Sequence, residues 1–107
     1  MLFRSQTASA QVIAERLRNP PAVGVVRYPG FGGLLSFDVV DADAARRVET
    51  ATRQILNMTS LGGVTSRIEA RSRWEGERVP PGLLRLSVGL EDPDAIWADL
   101  ERALESA

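Results

Sequence analysis

The run Leu83-Leu84-Arg85-Leu86-Ser87-Val88-Gly89 constrains this chain more than any other. Side chains of a strand point alternately to its two faces. The spacing therefore predicts a strand with Leu84, Leu86 and Val88 on one face, and that face must be covered by other elements. Arg85 and Ser87 share the opposite face, next to Gly89. An arginine in the middle of an apolar strand is unusual, because a buried guanidinium needs partners. One reading is a solvated face on which Arg85 pairs with a neighbouring Glu or Asp. The other is a fork that grips a carboxylate through two parallel hydrogen bonds, a task that suits guanidinium better than ammonium. Spacing alone leaves both open.

The covering elements can be read from the other periodicities. Ala10, Ile13, Ala14 and Leu17 fall on one stripe of a helix predicted over Ser5 to Arg18, which Asn19-Pro20-Pro21 ends. Val23 to Tyr28 reads as a short strand closed by a Pro29-Gly30 turn. Leu34 to Val40 is the next strand, with Leu35, Phe37 and Val39 on its buried face. Asp41 or Asp43 can cap a second helix running to about Leu56, with Ala44, Val48, Ala51 and Ile55 as its inner stripe. Val64 to Glu69 reads as a strand, and the polar stretch Arg71 to Pro81, with Trp74 among charges, reads as a loop. Asp92-Pro93 opens a terminal helix whose inner face carries Ile96, Leu100, Ala103 and Leu104, flanked by Trp97. The order helix, strand, strand, helix, strand, strand, helix predicts a two-layer α+β domain. Its sheet is antiparallel, of about four strands, with helices on one face.

The 107 residues make one domain, and 44% hydrophobic content can supply a core without metal or disulfide staples. All 13 basic residues are arginine, a usage that codon bias in a GC-rich genome produces. The chemical consequence is sharp all the same. Without lysine there is no Schiff base, and without histidine or cysteine the usual bases, nucleophiles and metal ligands are missing. A complete enzyme of the common covalent or acid–base types is excluded. A net charge of −1, with arginines interleaved among acids, predicts no nucleic-acid partner. No stretch approaches the roughly 20 apolar residues of a membrane span. Met1 to Ala10 lacks an apolar run of signal-peptide length, so a cytoplasmic location is expected.

A second candidate segment is Ser60-Leu61-Gly62-Gly63, where paired glycines allow a tight turn or a close backbone approach to a ligand. An ordinary turn between helix and strand accounts for it equally. Phe31-Gly32-Gly33 reads as the lead-in to a strand.

Four motifs carry a resemblance. Val25-Val26-Arg27-Tyr28-Pro29-Gly30 is similar to "V-x-RYPG", and Phe31 to Phe37 to "GFGG-x-LSF". Thr59-Ser60-Leu61-Gly62-Gly63-Val64 resembles "SLGGVES", and Leu83 to Asp92 resembles "L-x-RLSVGLED". Together with a helix Pro93 to Leu104 like "D-L-I-x-DLE-x-AL", they stand in the order of the pyridoxal-phosphate enzymes of cysteine and methionine metabolism. That family holds the cystathionine γ-synthases, cystathionine γ-lyases, cystathionine β-lyases and methionine γ-lyases. The loop Arg71-Ser72-Arg73-Trp74-Glu75-Gly76 is closest to a γ-lyase or γ-synthase branch.

The resemblance is to the C-terminal small domain of these fold-type I enzymes. It implies that residues 1–18 are the remnant of a helix leading to a large domain, which would hold the cofactor lysine. It also implies that Arg85 binds the substrate α-carboxylate, helped by Ser60 or the backbone beside it, while this chain alone binds no cofactor. The parent activity would be β/γ-elimination or γ-replacement on sulfur amino acids, with pyridoxal phosphate as the electron sink. Departures are a missing insert before Phe31, Thr65 at the glutamate position of "SLGGVES", and no "HPA-x-MTH" motif after Glu69. Three forms of such a chain are expected: a domain inactive alone, a subunit completing a separate lysine-bearing chain, or a stand-alone ligand-binding or interaction module. A homo-oligomer is compatible with each.

Overall fold

The stripe Ala10, Ile13, Ala14 and Leu17 closes into helix α1 (Leu2–Leu17), and all four side chains are buried. These and the following observations come from a computed structural model, in which residues 2–57 and 65–107 are described. Strand β1 (Val26–Arg27) pairs antiparallel with β2 (Leu34–Asp38), setting Arg27 opposite Ser36. The turn between them passes through Gly32 at φ +74°, a conformation that costs glycine little. Thr7 of α1 holds that turn, its Oγ1 accepting the Gly32 N–H at 2.8 Å, while Tyr28 donates its hydroxyl to the Gly32 carbonyl at 2.7 Å.

Asp41, one of the two expected caps, starts helix α2 (Ala42–Ala51) by accepting the Ala44 N–H at 2.8 Å. The helix stops at Ala51, short of the expected Leu56, and the cause is a distant carboxylate. Asp99 accepts the backbone N–H groups of Arg53, Gln54 and Ile55 at 2.8–3.1 Å, which removes those donors from any helical ladder. Ile55 is buried as expected, but from this loop rather than from a helix. A two-residue strand β3 (Leu56–Asn57) follows and lies parallel to β4 (Arg67–Ala70).

The stretch expected as a loop begins with one helical turn, α3 (Ser72–Glu75), and a 3-10 turn, Gly76–Arg78. Arg71 organises it: its carbonyl accepts the N–H of Trp74 and Glu75, and its side chain pairs with Glu75 one turn on. Strand β5 (Leu83–Ser87) leads to helix α4 (Pro93–Leu104), capped by Asp92 with Pro93 in its first turn, as the sequence predicts.

The sheet order is β1-β2-β5-β4-β3. The four expected strands are antiparallel throughout, and the short β3 adds a parallel edge. Leu35, Phe37, Ile68, Leu84, Leu86 and Val88 of the inner face join the stripes of α1, α2 and α4 in one core. Each fully buried leucine or phenylalanine there contributes about 1.5–3 kcal/mol. The helices thus cover one face and leave the other to carry the site. Among the described residues no helix is long and apolar enough to cross a membrane.

Two long-range contacts set how tightly the layers close. Gly82 runs so near β2 that a Cβ would lie 2.0 Å from the Val39 carbonyl oxygen, backbone that has nowhere to go. The variant Gly82→Ala is expected to lose about 1–3 kcal/mol, read as a lower urea midpoint. Asp99 is the other. Burial works against its charge, but the three backbone donors and Arg102 outweigh it and hold its carboxyl below the ordinary value. A lowered carboxyl pKa contributes stability above the ordinary carboxylate range and loses it as pH falls through the lowered value. Asp99→Asn is expected to cost about 1.5–3 kcal/mol at neutral pH. Its stability should also fall less on acidification than that of the wild type, and parallel urea-versus-pH curves would contradict this role.

Candidate functional site: an open arginine on the outer sheet face

Strand β5 lies between β2 and β4, so two registers fix the neighbours of every side chain on it. Leu84, Leu86 and Val88 point into the core with no exposure. Arg85 and Ser87 point to the outer face. Ser36 on β2 and Glu69 on β4 are the residues directly opposite Arg85. The next row places Leu34 and Arg67 on either side of Ser87. Asp38, opposite Leu83, is diagonal to Arg85.

Both acids near Arg85 are already engaged. Arg27 holds Asp38 with two parallel hydrogen bonds of 2.9 Å, and that contact raises the arginine pKa further. Glu69, only 2% exposed, is bonded by Nη1 of Arg71. Arg71 also donates from Nε to Glu75 at 2.8 Å, and the Glu75 bond, ahead of the Glu69 contact and against the cost of burial, raises its pKa. Arg85 itself is half-buried, and its Nε is a buried donor with no hydrogen-bond partner among the described residues. An unmet buried donor costs about 1–3 kcal/mol. The pairing with a neighbouring acid, one of the two readings of the sequence, is therefore not made.

Around Arg85 lies a cleft of about 870 Å³, whose lining includes Ser36, Leu34, Phe31, Arg71 and Arg27. Phe31 and Leu34 are 61% and 50% exposed at its rim. The arrangement sets a guanidinium in a cleft with apolar side chains at the rim and further arginines in its wall, which suits a small anionic ligand with an apolar body. No group of acids able to hold a metal ion forms among the described residues.

A second polar cluster fixes the end of β5. Glu91 accepts the Ser66 N–H and hydroxyl, each at 2.9 Å, and the Ser66 Oγ accepts the Gly89 N–H at 2.9 Å. Glu91 and Ser66 thus join two of the sequence motifs by structural bonds. Ser60, the other expected site residue, and Gly62-Gly63 lie outside the described residues. Sequence reasoning did not single out Glu69 or Arg71. The signal open to it was the opposite charges of Glu69 and Arg71 at the start of the segment that lacks "HPA-x-MTH", but their meaning depends on strand register.

Comparison with known proteins places the chain. The family model for Cys/Met metabolism PLP-dependent enzymes matches residues 2–105. The cystathionine gamma-synthase of Haemophilus influenzae is 40% identical over 89% of this chain and 28% of its own length. The L-methionine gamma-lyase of Streptomyces avermitilis is 38% identical over 94% of this chain and 27% of its own. The crystal structure of apo CalE6, a methionine gamma lyase from Micromonospora echinospora, superposes with a TM-score of 0.88 at 35% identity, covering 97% of this chain and 33% of that one. The chain spans about a third or less of the length of these proteins. With all but its first and last two residues inside the match, the chain belongs to the Cys/Met metabolism PLP-dependent enzyme family.

Proposed function

We propose that this chain is the C-terminal small domain of a PLP-dependent sulfur amino acid lyase or synthase, of cystathionine γ-lyase or γ-synthase type. In this reading Arg85 receives the substrate α-carboxylate, with Ser60 or its backbone at the same site. The observation that carries it is Arg85 on the cleft wall, whose buried Nε has no hydrogen-bond partner among the described residues while Asp38 and Glu69 are held by other arginines. A carboxylate entering the cleft neutralises a half-buried charge, and a guanidinium offers it a planar fork of donors.

The residues of this chain do not fit the cofactor itself. Pyridoxal phosphate serves these reactions as an electron sink, and it is anchored through a lysine, which the chain lacks. In this reading the anchoring lysine belongs to a large domain or a separate subunit, and this chain contributes orientation. Support for such a neighbour comes from Phe31 and Leu34, large apolar side chains exposed beside Arg85 rather than in the core. A stand-alone ligand-binding or interaction module derived from the same domain would use the same cleft.

Two measurements test this. Titration of the 107-residue chain with L-methionine or L-cystathionine, followed by the Arg85 Nε–H resonance, is expected to shift that resonance saturably. Arg85→Lys should weaken binding by about tenfold or more, the loss of a charge-assisted bond of about 1.5–3 kcal/mol. No shift with either ligand would sink the carboxylate site. Second, incubation with pyridoxal phosphate and borohydride is expected to leave no pyridoxyl group on any internal residue. Peptide mapping by mass spectrometry reads this, and an internal adduct would show cofactor attachment without lysine.

A further inference from the structure

One row of residues crosses the outer sheet face at the level of Arg85. The two registers of β2 set Arg27 on one side of Ser36 and Arg85 on the other, each directly opposite it. Directly opposite residues have Cβ atoms about 4.5–5.5 Å apart, so the Ser36 hydroxyl is within reach of what a neighbouring arginine binds. A serine hydroxyl carries one proton to donate, and a guanidinium can donate but never accept. Neither neighbour in the row can therefore take the Ser36 proton. The Arg27 fork is turned to Asp38, the next outward residue of β2, by two parallel hydrogen bonds of 2.9 Å. Arg85 is then the cation whose ligand Ser36 can share.

Ser36 is half-buried and lines the same cleft as Arg85. Ser87, also half-buried on this face, lies one row further along, between Leu34 and Arg67 and outside the cleft lining. A carboxylate offers about four acceptor positions on its two oxygens, and an arginine fork fills two of them. A hydroxyl fixed on the adjacent strand adds a second anchor point, so the carboxylate is oriented as well as neutralised. We propose that Ser36 is a second carboxylate-binding residue, which donates its hydroxyl to the same carboxylate that Arg85 receives. This rests on the reading of Arg85 as a carboxylate site.

The test titrates the 107-residue chain with L-methionine and follows binding by the Arg85 Nε–H resonance. Ser36→Ala removes the hydroxyl with little change in volume. It is expected to weaken binding by about tenfold or more, the loss of one hydrogen bond to a charged group. Ser36→Thr keeps the hydroxyl on a side chain that strands favour, and is expected to bind near the wild-type level. Ser87→Ala is expected to bind as the wild type does. In the wild type itself, exchange of the Ser36 hydroxyl proton with water should slow on saturation with L-methionine, a readout that needs no variant to fold. Undiminished affinity in Ser36→Ala, or equal losses in Ser36→Ala and Ser36→Thr, overturns the donor role and leaves Arg85 as the receiver. A loss in Ser87→Ala as large as that in Ser36→Ala, or unslowed exchange in the saturated wild type, does the same. Absence of L-methionine binding by the wild type overturns the carboxylate site and this inference with it.

Discussion

The pairing of β5 on both edges is the constraint from which the rest of the domain follows. Strands β2 and β4 flank it antiparallel, so its backbone donors and acceptors are consumed by the sheet and its faces are fixed by the pleat. A slip of one residue would send Leu84, Leu86 and Val88 to the outer face and drive Arg85 into the core. The helices α1, α2 and α4 cover the inner leucines because nothing else can, and the outer face is left with the polar half of the same strand. Core and site are therefore two consequences of one alternation.

Charge placement on the outer face then decides what Arg85 can do. The chain has 13 arginines and 14 acids, so composition does not enforce that Arg85 makes no ion pair among the described residues. It arises because the acids within reach are occupied: Asp38 by Arg27, and Glu69 by Arg71. Elsewhere the acids work as backbone anchors. Glu49, buried on α2, accepts the Ala70 N–H at 2.8 Å, Glu91 holds Ser66, and Asp99 holds the loop after α2. These buried carboxylates tie helices to strand ends by satisfying backbone donors that the sheet and helix ladders leave over.

Much of the architecture was legible in the residues. Stripes such as Ala10, Ile13, Ala14 and Leu17, and alternations such as Leu35, Phe37 and Val39, report burial through local geometry, and all of these side chains are buried. The Asp92-Pro93 start of α4 was legible for the same reason, since a cap and a first-turn proline act within a few residues. The early end of α2 was not, because its cause, Asp99, lies more than forty residues away in sequence. Nor was α3, whose polar residues give no apolar periodicity and which is held by the Arg71–Glu75 pair. Glu49 broke the pattern of its helix, a charged residue on the inner face whose carboxylate accepts the Ala70 N–H of a strand distant in sequence.

The sequence by itself determined the fold class, the family and the direction in which Arg85 points, because periodicity and motif order are properties of neighbouring residues. It also determined that no lysine, histidine or cysteine is present to do chemistry. Only the tertiary structure decided which acids stand beside Arg85 and to which arginines they are bound. That outcome depends on strand register and on side-chain reach across the sheet, and where every basic residue is an arginine their charges alone do not choose among them.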